Sequence, residues 1–225
     1  SEIGKYSACY KLTLFMTLFA TAFRMGIEPF FFSHSKSDNP QRAYAQITNY
    51  FVILGSVILL SVVVYADVLK LFIVPNSDYW EAMSVVPIII LASFCLGIYH
   101  NLSVWYKVTD RTKFGAYISL IGAVLTIIIN YAFIPYFGYV ASAVATLVAY
   151  GSMVILSFFF GRMYYPIPYN HRKIIFYLVV SISFSMLSFY AFNRNLIIGS
   201  ILFIIFLGMV YRLESDKLKQ IFLRK

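Results

Sequence analysis

The chain has 225 residues, of which 61% are hydrophobic, 19% aromatic and only 12% charged, with a formal net charge of +9. A soluble domain of this length carries about 25% charged residues, because its whole surface meets water. The apolar residues here come in runs close to the ~20 needed to cross hydrocarbon, so a water-soluble globule is excluded and the excess of cations needs a topological explanation.

In chain order the apolar segments are Leu12–Phe32, Thr48–Ala66, Met83–Tyr106, Phe114–Ile134, Tyr139–Gly161, Ile174–Phe192 and Leu196–Tyr211. Barrel strands would alternate apolar and polar residues. A run such as Val85-Val86-Pro87-Ile88-Ile89-Ile90-Leu91 does not alternate. The expected fold is therefore all-α and polytopic, with about seven transmembrane helices. The last segment is short for a span and calls for local thinning or flanking residues. The chain begins at Ser1, enters a span almost at once and has no signal-peptide layout. It is read as the C-terminal portion of a longer protein.

The connections carry the cations unequally. Lys36, Arg42, Lys107, Arg111, Lys113, Arg162, Arg172, Lys173, Arg212, Lys217, Lys219, Arg224 and Lys225 fall on one side, and only Lys70 and Arg194 on the other. Positively charged loops stay in the cytoplasm, so the start of the chain is expected outside and its tail inside. Nucleic acid is thereby dismissed as a partner. Tyr79, Trp80, Trp105, Tyr106, Tyr131, Tyr136 and Tyr139 stand at segment ends, where aromatic belts sit. In the fifth segment Ala141, Ala145 and Ala149 form a small-residue stripe for close helix approach. The stretch Tyr164-Tyr165-Pro166-Ile167-Pro168 cannot continue a helix. The expected organisation is a five-helix part over 1–163, a cytoplasmic connection over 164–173, two additional helices over 174–212 and a basic tail over 213–225.

No enzyme signature, metal-ligand spacing or cofactor motif is present. Cys9 and Cys95 read as packing residues. The chemistry that stands out is ionisable residues inside spans, which are costly in lipid and tend to face cavities. Arg24 lies about 13 Å from the cytoplasmic end of the first segment, at about 1.5 Å per residue. Glu28 shares its face one turn on, at i,i+4. Pro29 leaves a carbonyl without its donor, so a kink is expected there, eased by Gly26. Arg24 would offer a cation to an anionic substrate and Glu28 would orient it or take a proton; a structural ion pair is the competing reading. Lys11 at the outer end of the first segment and Asn130 within the fourth complete the cavity candidates. Snorkelling to the interface is the preferred reading of Lys11, and an interhelical hydrogen bond that of Asn130. His100 and Asn101 read as packing residues, and His34 and His171 as loop residues.

The opening Tyr6-Ser7-Ala8-Cys9-Tyr10-Lys11-Leu12 and the stretch Ala22-Phe23-Arg24-Met25-Gly26-Ile27-Glu28-Pro29-Phe30-Phe31-Phe32 resemble the eighth helix of bacterial polysaccharide-biosynthesis flippases. These belong to the multidrug/oligosaccharidyl-lipid/polysaccharide exporter superfamily. The turn from Asn130 through Ile134-Pro135 and Gly138 to Ala143 is similar to the family pattern N-x-x-x-I-P-x-x-G-x-x-G-A-A, departing from it at Ala141 and Ser142. The resemblance implies helices eight to fourteen of a fourteen-helix transporter of the bacterial inner membrane. It further implies an undecaprenyl-pyrophosphate-linked oligosaccharide as cargo, membrane lipids and a missing N-terminal lobe as partners, and alternating access as mechanism. A multidrug or cation-coupled exporter of the same superfamily is the alternative. A membrane-embedded glycosyltransferase would need a larger extramembrane loop, and a purely structural bundle would need no Arg24.

Overall fold

The structure is a computed structural model that describes residue 7 and residues 10–35, 38–74 and 77–223, and the side chains of all of these except 77–79, 81 and 216–223. The expectations for Cys9, Lys36, Asp78, Tyr79, Glu81, Lys217, Lys219, Arg224 and Lys225, and for part of the Tyr6–Leu12 opening, fall outside the described residues or side chains. Among the described residues there is no strand. Seven helices there are long and apolar enough to cross a membrane: Lys11–Ser33, Pro40–Val64, Ala82–Val108, Lys113–Phe137, Tyr139–Tyr164, His171–Ala191 and Leu196–Ser215. They are called spans one to seven.

Runs such as Val62-Val63-Val64 and Ile127-Ile128-Ile129 have high strand propensity. Hydrocarbon offers no partner for a backbone N–H or C=O, so each segment satisfies its own as helix. The hydroxyls follow the same rule. Thr48 donates to the Tyr44 carbonyl at 3.0 Å, Thr126 to Gly122 at 2.9 Å and Thr146 to Ser142 at 2.8 Å, each one turn back along its own helix.

Spans two and three form the centre. In their most apolar stretches 61% and 72% of residues are buried, against 11% in spans one, four and seven. Span three packs on spans two and five, span six on span two, and span four chiefly on span five. Where spans one, two and three meet, Phe19 stacks on Phe51 at 5.2 Å and Phe23 meets it edge-on at 5.0 Å. Two glycines make room for this aromatic core. A Cβ on Gly97 would lie 2.5 Å from the Phe51 ring, and one on Gly55 2.2 Å from the Phe94 ring.

Ala141, Ala145 and Ala149 are buried, and the four-residue row runs on through Met153, Ser157 and Gly161. Trp105 fills the notch left by the last two. Its Nε1 donates to Ser157 Oγ at 3.2 Å, and a Cβ on Gly161 would lie 2.9 Å from its Cδ1. This corrects the expectation of an interfacial belt at the end of span three. Trp105 is 1% exposed, and its N–H finds a partner inside the protein instead of in headgroup water. Tyr106 is likewise buried, with its hydroxyl 3.0 Å from that of Tyr99. Tyr131 and Tyr136 do stand out into the surroundings at 89% and 80% exposure.

Several helix ends differ from the apolar runs. Span two starts eight residues early, at Pro40, where proline's missing N–H costs nothing in a first turn. Span four runs through Pro135 to Phe137, because a proline in a final turn frees only a carbonyl at the bundle end. A single residue then separates spans four and five: Gly138, at φ 54° and ψ −135°, a backbone region open to glycine. Span three breaks at Ser103 between helices Val86–Leu102 and Val104–Val108. The seventh helix does not stop at Tyr211 but extends to Leu223. Glu214, three residues past the end of the apolar run, is buried against Lys173 at 2.5 Å and Tyr177 at 3.0 Å. The connection after span two also contains an unanticipated helix, Ala66–Ile73. It exposes Val68, Leu71 and Phe72 on one side, while Asp67 and Lys70 pair at 2.6 Å.

Spans six and seven, the two additional helices of the sequence reading, are tied to the rest by an ion pair and by packing. At one end Arg194 reaches Asp67 at 3.3 Å; at the other Tyr177 of span six belongs to the buried cluster that includes Phe51 of span two, while Lys173 and Glu214 join spans six and seven to each other. Between these points a Cβ on Gly199 would lie 2.9 Å from Val64 Cγ1.

Candidate functional site

Span one delivers Arg24, Ile27, Glu28 and Phe31 at i, i+3, i+4 and i+7, one face of a helix. They meet His100, Asn101 and Lys107 of span three in a small crevice lined by these seven residues. Glu28 and Lys107 are joined by a salt bridge between Oε1 and Nζ. Lys107 reaches Glu28 from the short helix Val104–Val108, beyond the break at Ser103. That break is stabilised by Ser103 Oγ, which donates to the His100 carbonyl at 2.6 Å. Asn101 is buried and its amide donates to the Gly97 carbonyl at 3.0 Å, so its polarity is satisfied within its own helix.

The expected Arg24–Glu28 partnership is replaced by Glu28–Lys107. Charges at i,i+4 on one helix attract weakly, whereas a lysine from a second helix can approach the carboxylate end-on. Among the described residues Arg24 makes no ion pair within 4 Å, although it remains close enough to Glu28 and His100 to act on both electrostatically. The crevice therefore carries two permanent cations and a histidine against one carboxylate. Such a surplus suits an anionic group or water better than lipid.

The other candidates lie elsewhere. Lys11 is exposed at the far end of span one, in a 3-10 turn over Lys11–Thr13. Asn130 sits on span four, and its Oδ1 is buried without a hydrogen-bond partner. The interhelical bond expected for it is absent among the described residues; span four packs chiefly on span five, where Gly122 meets Met153 and Ala149 of the small-residue row. Gly26 and Pro29 are exposed on span one, with nothing within 4 Å of a Cβ built on Gly26. The helix Leu14–Ser33 passes through both. Sequence reasoning placed Lys107 in a loop and His100 in packing; the structure brings both to Arg24 and Glu28. The available signal was weak: Lys107 follows an apolar run directly, close enough to belong to a span.

Among the described residues no cluster of three His, Cys, Asp or Glu side chains could hold a metal ion. Searches among curated proteins and among solved structures find no match. A family model described as MatE matches residues 1–132, that is, spans one to three and most of span four. MatE proteins are membrane transporters of the exporter superfamily and not enzymes; the match does not specify the polysaccharide branch. With well over half of its length matched, this multi-pass membrane protein belongs to the MatE family of transporters.

Proposed function

We propose that the chain forms one lobe of an alternating-access exporter coupled to a cation gradient. The family's typical activity, multidrug or cation-coupled export, supports this reading over the lipid-linked oligosaccharide. The observation that carries it is the Glu28–Lys107 salt bridge joining spans one and three. A carboxylate in a low-dielectric crevice holds its charge only while a cation is beside it. A proton or sodium ion arriving at Glu28 would compete with Lys107 and loosen the two spans from each other. Arg24 and His100 would then be left facing the pathway. Binding and release of the coupling ion thus acts directly on a contact between two helices, as alternating access requires. In the intact protein Glu28→Gln should abolish gradient-driven efflux of a fluorescent cationic drug from everted vesicles while leaving membrane insertion unchanged. Efflux at the unaltered rate would refute the role given to Glu28.

A second reading, a flippase for polyprenyl-pyrophosphate-linked oligosaccharide in a bacterial inner membrane, is favoured by one observation: the guanidinium of Arg24, within an apolar span, makes no ion pair among the described residues. A pyrophosphate moving through the bilayer needs such a cation. In that case Arg24→Ala, and not Glu28→Gln, removes surface glycan, and drug efflux is absent throughout. In either reading the cation-rich end, with the chain's tail, lies in the cytoplasm, as the positive-inside rule requires.

A further inference from the structure

Away from the crevice, a recess of about 370 Å³ lies between spans two, three, five and six at the cation-rich end of the bundle. Its walls are apolar: Val52 from span two, Leu102 from span three, Val154 and Phe158 from span five, and Ile174 and Leu178 from span six. Its polar rim consists of Arg162, Tyr169 and His171, while Thr48 lies buried in the wall with its hydroxyl donated to the Tyr44 carbonyl. Ile175, 58% exposed, stands on the side turned towards lipid. Beyond it a shallower groove continues along span six past Arg172, Phe176 and Val179.

The charges around this recess have one sign. His171, Arg172 and Lys173 occupy the first turn of span six, which contains no acid. A helix N-terminus is itself the positive end of the dipole and disfavours cations there. Only Lys173 is neutralised, by Glu214. Arg162, Arg172 and His171 are exposed, and among the described residues neither arginine has an ion pair. The positive-inside rule accounts for cations at this end of the bundle. It does not account for their gathering around an apolar hole.

We infer that this recess is a binding site for an anionic glycerophospholipid, with an acyl chain between spans five and six and the phosphate at Arg162 and His171. The volume falls in the range of small-molecule pockets and accepts part of one chain. The rim supplies what a phosphodiester recognises: a guanidinium fork, an imidazole and the Tyr169 hydroxyl. Basic pockets between helices on the cytoplasmic side bind anionic headgroups for this reason. The inference stands apart from the Arg24–Glu28 crevice and from any transport activity.

The test uses the full chain purified in detergent, with native mass spectrometry of retained lipid. Phosphatidylglycerol is the probe and phosphatidylcholine the zwitterionic control. The expected result is selective retention of one phosphatidylglycerol, reduced about fivefold in Arg162→Gln and restored in part by Arg162→Lys. Val154→Phe should exclude the lipid with the rim intact. Arg162 is at the surface, so its variants fold and decide the matter if the filled recess does not. Arg24→Ala should leave retention unchanged. Equal retention of phosphatidylcholine, unaltered retention in Arg162→Gln, or loss in Arg24→Ala would each overturn the assignment.

Discussion

Glu28 and Lys107 lie far apart in the chain and meet because spans one and three pack side by side. Removing either partner leaves the other charge in a poorly solvated crevice, which costs more than the pair contributes when intact. Both side chains are about a third exposed, at 37% and 27%, so water offsets part of that cost. Glu28→Gln and Lys107→Met should each destabilise the protein by about 1–2 kcal/mol. The double variant should recover a large share, because no stranded charge remains. Melting in detergent, followed for all four proteins of the cycle, measures this. Additive losses would mean that the two residues act separately. The sequence alone could not show this pairing, since Arg24 at i−4 is the nearer partner for Glu28 along the chain, and helix periodicity says nothing of a neighbouring helix.

At the scale of the element, helix existence was legible and helix ends were not. Run length and hydropathy locate all seven spans because lipid allows a continuous apolar segment only one conformation. The ends depend on polar residues whose partners come from other spans. Glu214 lies beyond the apolar run yet inside the same helix, where Lys173 and Tyr177 bond it. The small-residue row of span five was legible as a packing surface; its reader, Trp105, was not, because a tryptophan at a span end has an equally good place at the interface. Gly161 is the position to probe. A Cβ there already crowds the indole, so Gly161→Val should push Trp105 out of its notch and cost about 1–3 kcal/mol by overpacking. Trp80 and Trp105 are the chain's two tryptophans. In a Trp80→Phe background, Gly161→Val should therefore shift the emission of Trp105 to longer wavelength as its N–H leaves Ser157. An unchanged spectrum would mean that the notch accommodates the extra methyls.

For the whole molecule, the question is how far spans one to five depend on spans six and seven. The family match ends at residue 132, and the Pro-rich connection over 165–170 is where the chain leaves regular helix. Both features suggest a separable tail. The packing argues the other way. Span two, at the centre, is covered by span six along much of its length. Tyr177, Phe189 and Phe206 belong to the same buried cluster as Phe51, Leu59 and Phe94. Tyr65, at the end of span two, lies 3.3 Å from Ser200 and packs edge-on against Phe203. Tyr190 donates to the Ser84 carbonyl at 2.7 Å. In a bilayer, separating helices exposes them to acyl chains as apolar as their neighbours, so the hydrophobic term nearly vanishes. What is lost is dispersion between fitted surfaces and these polar contacts, including Asp67–Arg194. A chain ending after Asn170 should therefore insert but pack loosely. Its melting temperature in detergent should fall by about 10 °C, and protease should cleave it within the connection around Ala66–Ile73, which loses Arg194 and the cover of span seven. A five-span chain that melts where the full one does would show that spans six and seven lean on a body that is complete without them.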